Sequence, residues 1–381
     1  MKIVIDSVSF IDAIQWVMKT FDTRSENGFV GLKVSDSAGA ELIYSNPTSF
    51  MKCPFKVLDS DFDGKTEASF SLQGAFIQRL ASALDPTSTS QISYEDDRLT
   101  LVNKSGKFTI PTAKGRIAKT PSYKQFGEVN SAQYFDAMQR LSKYCVTDSV
   151  YAPLGAIDVD LFSDDENIVL TATDRFALGE VKVPFERSDD IDSLLGGIDH
   201  ILIPSGASSI SAPKGFNTAS LLFDKETSKI GYSFPDGRLA LYSSLDATPI
   251  PFSDLKTKAK AELTNSVQVG VKEFHKAISS ISSLAWEETG ILLTATEDDL
   301  VVSDSHESNK LEVEILSTDV EGENVIKFDR SILTKIFHLL STPKMNIRWG
   351  STSGAFVFEP VSEDEVVVEG IFILAVPDSR R

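Results

Sequence analysis

The chain has 381 residues, of which 41% are hydrophobic and 24% are charged, and its formal net charge is −18 at pH 7. This composition is ordinary for a globular protein, and the length suits two or three domains. No segment approaches the about 18 uninterrupted apolar residues of a membrane helix, and the first residues lack the charged and apolar blocks of a signal peptide. The two cysteines, Cys53 and Cys145, have no CxxC spacing, so neither a disulfide framework nor a zinc site is expected. We therefore expect a cytoplasmic protein without a membrane partner.

The first predicted helix recurs three times along the chain. It reads FIDAIQWV at residues 10–17, YFDAMQRL at 134–141 and FHKAISSI at 274–281, and each copy follows a short alternating apolar stretch. Each copy places an aromatic residue three positions before an alanine and four before Ile or Met. Residues at this spacing share one face of a helix. The sequence thus predicts one strand and one amphipathic helix, repeated three times.

A strand that ends in a turn follows each of these helices. The three copies are LKVSDSAGAEL from Leu32, LTATDRFALGE from Leu170 and LVVSDSHESNK from Leu300. This alignment places Asp36, Asp174 and Asp304 in one register. Aspartate side chains commonly accept hydrogen bonds from the backbone two residues later, so we expect all three to stabilise turns.

A second helix is predicted in the first and last copies. The segments LQGAFIQRLASAL, from Leu72, and FDRSILTKIFHLL, from Phe328, put Arg79 and Lys335 at matching positions. The middle copy, IPSGASSISAPKGF, contains Pro213, which interrupts a helix. Late strands follow in each copy: RLTLVN, RLALYS and GAFVFEP.

A repeat of about 127 residues therefore organises the chain. We predict the α+β class, with two helices packed on antiparallel sheets in each of three domains, at residues 1–126, 127–254 and 255–381. The stretches near the two boundaries, TPSYKQFGEV and DATPIPFSDLKTKAKAEL, are interpreted as short extended crossings between packed units.

The sequence offers little catalytic chemistry. The GKT triplet that begins at Gly64 lacks the glycine five residues earlier that a phosphate-binding loop needs, and His306-Glu307 lacks the second histidine of a zinc-protease helix. The four histidines are scattered, and acidic pairs such as Asp164-Asp165 fall in predicted loops. We expect no enzyme activity, no cofactor and no metal site.

The net charge opposes nucleic-acid binding over most of the surface, because Lys and Arg must neutralise the phosphates. Exposed charges are screened beyond about 8–10 Å at physiological salt, so a locally basic surface can still face DNA. The repeated helices carry such residues, and we interpret them as a shared surface. They are Lys19, Arg79, Arg140, Lys143, Lys276 and Lys335. The alternative is that these residues form ordinary solvated helix faces.

The order and spacing of these segments resemble the bacterial DNA polymerase III β subunit, the sliding clamp, over the whole chain. TATDRFALGE is similar to the family segment in which Thr-Asp and a following Leu line a peptide pocket, and the C-terminal ILAVPDSRR is similar to its closing strand and tail. The resemblance implies three repeated clamp domains that form half of a six-domain ring. The ring would be a homodimer that encircles double-stranded DNA without reading its sequence and acts as a processivity factor in DNA replication.

The same resemblance implies three groups of site residues. DNA contacts carried over are Arg24, in the loop after the first helix, and Tyr151, in the equivalent loop of the second domain, beside Arg79, Arg140, Lys143, Lys276 and Lys335. The pocket for short apolar peptides of the DNA polymerase and the clamp loader would use Leu154, Thr173, Arg175, Phe176, Leu178, Pro251, Leu374, Ala375, Val376 and Pro377. The dimer interface would join Phe108 and Ile110 to Leu284.

Two departures from the family suggest a divergent or phage-encoded member, and a phage-encoded member would work in the host cytoplasm. Ala177 stands where many members have arginine, and the tail ends in DSRR. Two other functions stay open at this point. One is an interaction or scaffold protein that uses the triplicated fold without encircling DNA, and the other is a hydrolase with a site assembled from scattered carboxylates and histidines.

Overall fold

The structure is a computed structural model that describes residues 1–21, 28–36, 39–62, 64, 66–96, 98–113, 117–146, 150–261, 263–284, 290–340, 342–350, 355–361 and 369–374. These residues form helices and antiparallel sheets joined by turns and loops, so the predicted α+β class is confirmed. The described helices are α1 (Ser7–Val17), α2 (Gly74–Ala83), α3 (Ser131–Leu141), α4 (Ile191–Leu195), α5 (Phe252–Ala261), α6 (Val271–Leu284) and α7 (Arg330–Leu339). Short 3-10 turns lie at Met18–Thr20, Ser142–Tyr144, Ala152–Gly155 and Ser205–Ser209.

The strands fall into three series, which we call repeats 1, 2 and 3. Repeat 1 contains β1 (Lys2–Asp6), β2 (Phe29–Ser35), β3 (Gly39–Ser45), β4 (Ser49–Phe55), β5 (Val57–Asp61), β6 (Glu67–Gln73), β7 (Thr89–Glu95), β8 (Arg98–Asn103) and β9 (Gly106–Ile110), followed by the short β10 (Thr112–Ala113). Repeat 2 contains β11 (Lys124–Asn130), β12 (Ala156–Asp160), β13 (Asn167–Thr173), β14 (Ala177–Arg187), β15 (His200–Pro204), β16 (Thr218–Asp224), β17 (Lys229–Ser233) and β18 (Leu239–Ser243). Repeat 3 contains β19 (Asn265–Gly270), β20 (Ile291–Ala295), β21 (Leu300–Asp304), β22 (Lys310–Val313), β23 (Ile315–Asp319), β24 (Asn324–Phe328), β25 (Lys344–Trp349), β26 (Ala355–Val361) and β27 (Glu369–Leu374).

The three repeats share one strand order. The sixth, second, third and fourth strands lie side by side as β6-β2-β3-β4, as β15-β12-β13-β14 and as β24-β20-β21-β22. The fifth, first, seventh, eighth and ninth strands form β5-β1-β7-β8-β9 in repeat 1 and β23-β19-β25-β26-β27 in repeat 3. In repeat 2 the first, seventh, eighth and ninth strands form β11-β16-β17-β18, while the long β14 covers both the fourth and fifth positions. The repetition predicted from the helices therefore extends to the sheets.

Two strand pairings join consecutive repeats. The fourth strand of repeat 1, β4, pairs with the ninth strand of repeat 2, β18, from Leu239 opposite Lys52 to Tyr242 opposite Ser49. The fourth strand of repeat 2, β14, pairs in the same antiparallel way with the ninth strand of repeat 3, β27. One rule thus describes both joints: the fourth strand of a repeat pairs with the ninth strand of the next.

Contacts between residues divide the chain into two compact units. The first contains residues 1–132, 187–197 and 209–244, and the second contains residues 133–186, 198–208 and 245–381. Repeat 2 contributes strands to both units. The domain boundaries predicted at 126 and 254 stay predictions, and these residues lie inside β11 and α5.

The predicted helical face forms the core of each repeat. Its aromatic, alanine and Ile or Met positions are 5% exposed or less in all three copies: Phe10, Ala13 and Ile14 in α1, Tyr134, Ala137 and Met138 in α3, and Phe274, Ala277 and Ile278 in α6. Burying a large apolar side chain stabilises a fold by about 1.5–3 kcal/mol, so these faces hold the helices to the sheets. The first-helix prediction is confirmed.

The predicted register of the three aspartates is wrong for Asp36. This residue follows β2, the second strand, whereas Asp174 and Asp304 follow or end the third strands β13 and β21. The equivalent residue in repeat 1 is Asn46, whose Oδ1 accepts hydrogen bonds from the backbone N–H groups of Thr48 (2.9 Å) and Ser49 (2.7 Å). The segments LKVSD and LVVSD look alike because successive strands share the same alternating pattern. The late strand RLALYS is displaced in the same way, since it forms a ninth strand and not an eighth.

The second crossing is also different from the prediction. Residues 252–261 form helix α5 and not an extended segment. Asp254 lies in the first turn, and Lys258 and Lys260 lie in the last turn. Both placements complement the partial charges of the helix ends, which favours a helix directly after Pro251.

Candidate functional site

Positive charge is concentrated on the first and second helices of the repeats. With the 3-10 turns that end α1 and α3, helices α1, α2, α3, α6 and α7 contain eight lysine or arginine residues and three acidic residues, although the whole chain carries −18. The eight are Lys19, Arg79, Arg140, Lys143, Lys272, Lys276, Arg330 and Lys335. Lys272 was missed because it lies before the aligned part of its helix, and Arg330 was missed although its segment was aligned.

The structure separates the predicted DNA-binding residues into two groups. Arg79, Lys143 and Lys276 are exposed, and the Nε of Arg79 donates a hydrogen bond only to the Ala75 carbonyl of its own helix among the described residues (3.1 Å). Tyr151 is also exposed. Arg24 lies outside the described residues.

Arg140 and Lys335 already have acidic partners. Arg140 forms a 2.5 Å ion pair with Asp136, one turn earlier on α3, and donates to the Leu339 carbonyl at 3.0 Å. Lys335 forms an ion pair with Asp174, the turn residue that precedes β14. Both cations therefore contribute to packing within the second unit.

A cavity of about 760 Å³ lies along α1, where repeat 2 has a loop in place of a second helix. Arg238 lines it and pairs with Asp12 and with Asp236. Two cations lie over the Trp16 ring, with Lys19 Nζ 5.2 Å and the Arg238 guanidinium carbon 5.4 Å from its centroid. Burial, and secondly the charge of Arg238, lower the pKa of Lys19. Arg238 was missed in the sequence analysis because one of its two acidic partners, Asp12, lies 226 residues away on α1.

A tight turn at Thr173–Leu178 forms the predicted peptide segment. Asp174 Oδ1 accepts hydrogen bonds from the backbone N–H groups of Phe176 (2.9 Å) and Ala177 (2.8 Å). Thr173 Oγ1 donates to the Ala177 carbonyl at 2.7 Å and accepts from the Arg175 N–H at 3.1 Å. These bonds hold Arg175 in the left-handed region (φ 84°) and leave the Phe176 ring 45% exposed.

An apolar cluster lies beside this turn. Leu178 packs with Phe252 at the start of α5 and with Val357 of β26, and the partly buried Ile250 and Leu263 pack against them. Pro251 is exposed next to this cluster, whereas Leu154 is buried in the Ala152–Gly155 turn. Phe252 and the 40% exposed Leu255 were missed because α5 was not predicted.

The C-terminal strand runs beside the same turn. The backbone of β27 pairs with β14, so that Ile373 lies opposite Ala177 and Phe372 opposite Leu178. Leu374 is the last described residue, and Ala375, Val376 and Pro377 lie outside the described residues. Two segments that the sequence analysis assigned to one pocket, separated by almost 200 residues, are thus adjacent in the sheet.

Helices α5 and α7 are fixed to the strand that follows the turn. Lys256 of α5 forms an ion pair with Glu180 of β14. Gly179 allows α7 to approach, because a Cβ there would lie 2.6 Å from Leu339 Cδ1. The buried Tyr144 hydroxyl donates to the Lys335 carbonyl at 2.8 Å, and burial, together with the charge of Asp174, raises the pKa of Tyr144.

The predicted dimer residues lie at two sheet edges. Strand β9, which carries Phe108 and Ile110, pairs only with β8 among the described residues, and β22 pairs only with β21. Phe108 is partly buried, but Ile110 is only 2% exposed and supports the core of its own sheet. Leu284 at the end of α6 is 62% exposed, and Leu311 on β22, which the sequence analysis missed, is 39% exposed.

Other chemistry is sparse in the described residues. They contain no group of three or more His, Cys, Asp or Glu side chains that could hold a metal ion. Burial raises the pKa of the Cys53 and Cys145 thiols to about 12 in each case, so both are protonated at neutral pH. No described helix is both long enough and apolar enough to span a membrane.

Comparisons with known proteins identify the fold. No model of a protein family matches the chain, and no curated protein sequence matches it. Solved structures do match over nearly the whole length of both chains. The Bacillus subtilis DNA polymerase sliding clamp has a TM-score of 0.78 at 17% identity and covers 99% of each chain, and the Thermotoga maritima DNA polymerase III β subunit has 0.77 at 16%, covering 98% of this chain and 99% of its own.

A third match is the Helicobacter pylori β clamp bound to a DNA ligase peptide. It has a TM-score of 0.77 at 16% identity and covers 99% of this chain and 100% of its own. These likenesses show that the chain has the fold of the DNA polymerase III β subunits, with its repeated domains.

Proposed function

We propose that this protein is a DNA sliding clamp: a homodimeric ring of six repeats that encircles duplex DNA and tethers the replicative polymerase. In this role the chain is a processivity factor and catalyses no reaction itself. The observation that carries the proposal is the rule for joining repeats. Two joints within the chain use a fourth and a ninth strand, and the only fourth and ninth strands left without such a partner in the described sheets are β22 and β9.

The same rule closes a ring with a second copy. If β22 of each chain pairs with β9 of the other, two identical joints form and no edge of this kind is left. Such a dimer has closed two-fold symmetry, which is the commonest symmetry of soluble oligomers. Bare strand edges readily pair with another chain, and Leu311 and Phe108 supply apolar side chains on the two edges. Leu284, on the third-repeat helix, is a further exposed apolar residue for this interface.

The charge of the helices supports weak contact with DNA. Sparse cations such as Arg79, Lys143 and Lys276 suit contacts with phosphates, which carry no sequence information. A strong basic patch would hold the ring at one place, whereas a few exposed cations on an acidic protein allow it to slide. Arg24 and Tyr151 are proposed as further contacts.

The apolar residues beside the Thr173–Leu178 turn support a role in binding partner peptides, and we propose that they line a peptide groove. The Helicobacter pylori clamp of this fold binds a DNA ligase peptide. In this chain Phe176 of the turn and Leu255 of α5 are exposed apolar residues, and Leu178 lies in the apolar cluster beside the turn. We propose Ala375, Val376 and Pro377 as the opposite wall. A few buried apolar anchors usually supply most of the binding energy of such a peptide. The partners would be the polymerase and the clamp loader.

The oligomeric state tests the ring. Light scattering on a sizing column should give twice the chain mass of 41.7 kDa at micromolar concentration. Phe108→Asp on β9 and Leu311→Asp on β22 should each give monomers, because a buried charge at the joint would lack a partner. The control is Leu58→Asp, which changes a 46% exposed leucine on β5, the opposite edge of the β9 sheet, and should leave the dimer intact. A monomeric wild type would contradict the proposal.

A further inference from the structure

We propose that Lys335 is a positioning residue of the peptide groove and not a DNA contact: by pairing with Asp174 it holds the Thr173–Leu178 turn in shape. This inference rests on the peptide groove of the proposed function. It assigns a different task to a residue whose position on α7 matches Arg79 on α2.

The turn after the third strand is built in the same way in all three repeats. Asn46 in repeat 1 accepts two backbone hydrogen bonds through Oδ1, as Asp174 does in repeat 2. In repeat 3, Asp304 Oδ1 accepts from the N–H groups of His306 and Ser308, each at 3.0 Å. Because an uncharged asparagine suffices in repeat 1, the turn itself requires an acceptor and not a charge.

Asp174 differs from Asp304 in the partner of its second carboxylate oxygen, Oδ2. Asp304 Oδ2 is satisfied locally by Asn309, which donates through its side-chain Nδ2 at 2.6 Å. Asp174 Oδ2 is instead paired with Lys335, 161 residues away on another secondary-structure element. The side chains of the pair are only 25% and 12% exposed, so solvent screens it little. The charge at this position therefore connects the turn to α7.

Helix α7 is a firm support for this connection. The buried Tyr144 hydroxyl bonds to the Lys335 carbonyl, and Leu339, one turn further along, packs where Gly179 leaves room. The lysine thus starts from a fixed backbone position and reaches the turn with its side chain. A lysine that is held in this way is a poor candidate for a mobile phosphate contact.

The turn needs such a support because its backbone is unusual. Arg175 has φ 84°, a region that residues other than glycine rarely occupy and that persists only when surrounding bonds enforce it. Removing Lys335 leaves the largely buried charge of Asp174 without a cationic partner. Its carboxylate would then turn towards water and release the N–H groups of Phe176 and Ala177. Arg175 could then relax, and Phe176 would lose its position in the groove.

The first test measures peptide affinity. A fluorescent DNA ligase peptide, of the kind bound by the Helicobacter pylori clamp, is titrated with wild type and variants. Lys335→Gln and Asp174→Asn should each weaken binding about tenfold, as expected for losing one hydrogen bond to a charged group. Lys335→Arg should bind within about twofold of wild type, since it keeps a cation for Asp174. Lys104→Gln, which removes a 75% exposed lysine between β8 and β9, is the control and should leave the peptide affinity unchanged.

Two further measurements distinguish a failure of this inference from a failure of the proposed function. Trypsin should cut after Arg175 faster in Lys335→Gln than in wild type, which reports on the turn without any peptide. The salt dependence of duplex binding should be unchanged in Lys335→Gln and reduced in Arg79→Gln. Equal peptide affinity and equal cleavage in Lys335→Gln would overturn this inference and leave the clamp proposal standing. A wild type that binds no peptide would overturn the groove itself, and a reduced salt dependence in Lys335→Gln would return Lys335 to the DNA contacts.

Discussion

Helices α2 and α7 occupy the same place in repeats 1 and 3, yet they use their shared cation differently. Each helix has ten residues and a basic residue at its sixth position, Arg79 or Lys335. Arg79 is exposed and bonds within its own helix, whereas Lys335 is paired with Asp174. Residues at equivalent positions of two repeats can therefore have different interaction partners. For this reason the function of a residue in one repeat cannot be assigned to its counterpart by alignment alone.

The two helices also begin differently. Asp329 caps α7, because its carboxylate accepts hydrogen bonds from the N–H groups of Ser331 (2.7 Å) and Ile332 (3.4 Å). Gln73, at the start of α2, makes no side-chain cap bond. Helix α7, which carries the paired Lys335, is thus the one whose N-terminus is stabilised by a side-chain cap.

We expect the largest effect from truncating the buried side chains of the two helices, which tests whether α2 and α7 contribute equally to the core. Leu80 of α2 and Ile336 of α7 lie at the same helical position and are 3% and 0% exposed. Leu80→Ala and Ile336→Ala should each lower the free energy of unfolding by about 2–5 kcal/mol, because each leaves a cavity. Urea unfolding followed by circular dichroism measures this, and a loss below 1 kcal/mol at either position would break the equivalence.

A smaller effect tests the difference between the helix starts. Asp329→Ala should cost about 0.5–2 kcal/mol, the usual value of an N-cap, whereas Gln73→Ala should cost much less. Burial opposes ionisation of Asp329, but hydrogen bonds from Ser331 and Ile332 outweigh it and lower the pKa. Since the folded-state pKa is depressed, the cap stabilises fully above the unfolded value of 3.8 and is lost as the pH falls through the folded value.

The difference between wild type and Asp329→Ala should therefore be constant near pH 7 and shrink in acid. Thermal unfolding at several pH values measures it. A difference that grows on acidification would contradict the capping role of Asp329.

The smallest effect concerns the exposed cations. Each of Arg79→Gln, Lys143→Gln and Lys276→Gln should remove at most one phosphate contact, which lowers the slope of log K against log salt by about 0.9. Fluorescence anisotropy with a labelled duplex at several salt concentrations measures the slope. Lys104→Gln, a 75% exposed lysine on the β8–β9 turn, is the control. Slopes that match the wild type in all three variants would remove these helices from the DNA-binding surface.

Much of the fold could be predicted from the sequence because local patterns define it. The aromatic, alanine and aliphatic spacing of the first helices needs only the helical period, and the second helices show the same period at Leu80 and Ile336. The turn at Asp174 was predicted from a single residue type whose preference is local. These features require no knowledge of distant contacts.

The features that were missed depend on distant residues or on ambiguous patterns. Asp36 was placed in the register that belongs to Asn46, because strands two and three of a repeat alternate alike. Helix α5 was missed because the two prolines before it suggested an extended segment. The pairings of β4 with β18 and of Lys335 with Asp174 join residues far apart in the chain, and no short pattern in the sequence indicates them.

Negative-stain electron microscopy of the purified protein at micromolar concentration tests the central claim most directly. The clamp account predicts closed rings with six similar lobes and a central hole wide enough for a DNA duplex. Open particles of three lobes, without a hole at any concentration tested, would contradict it.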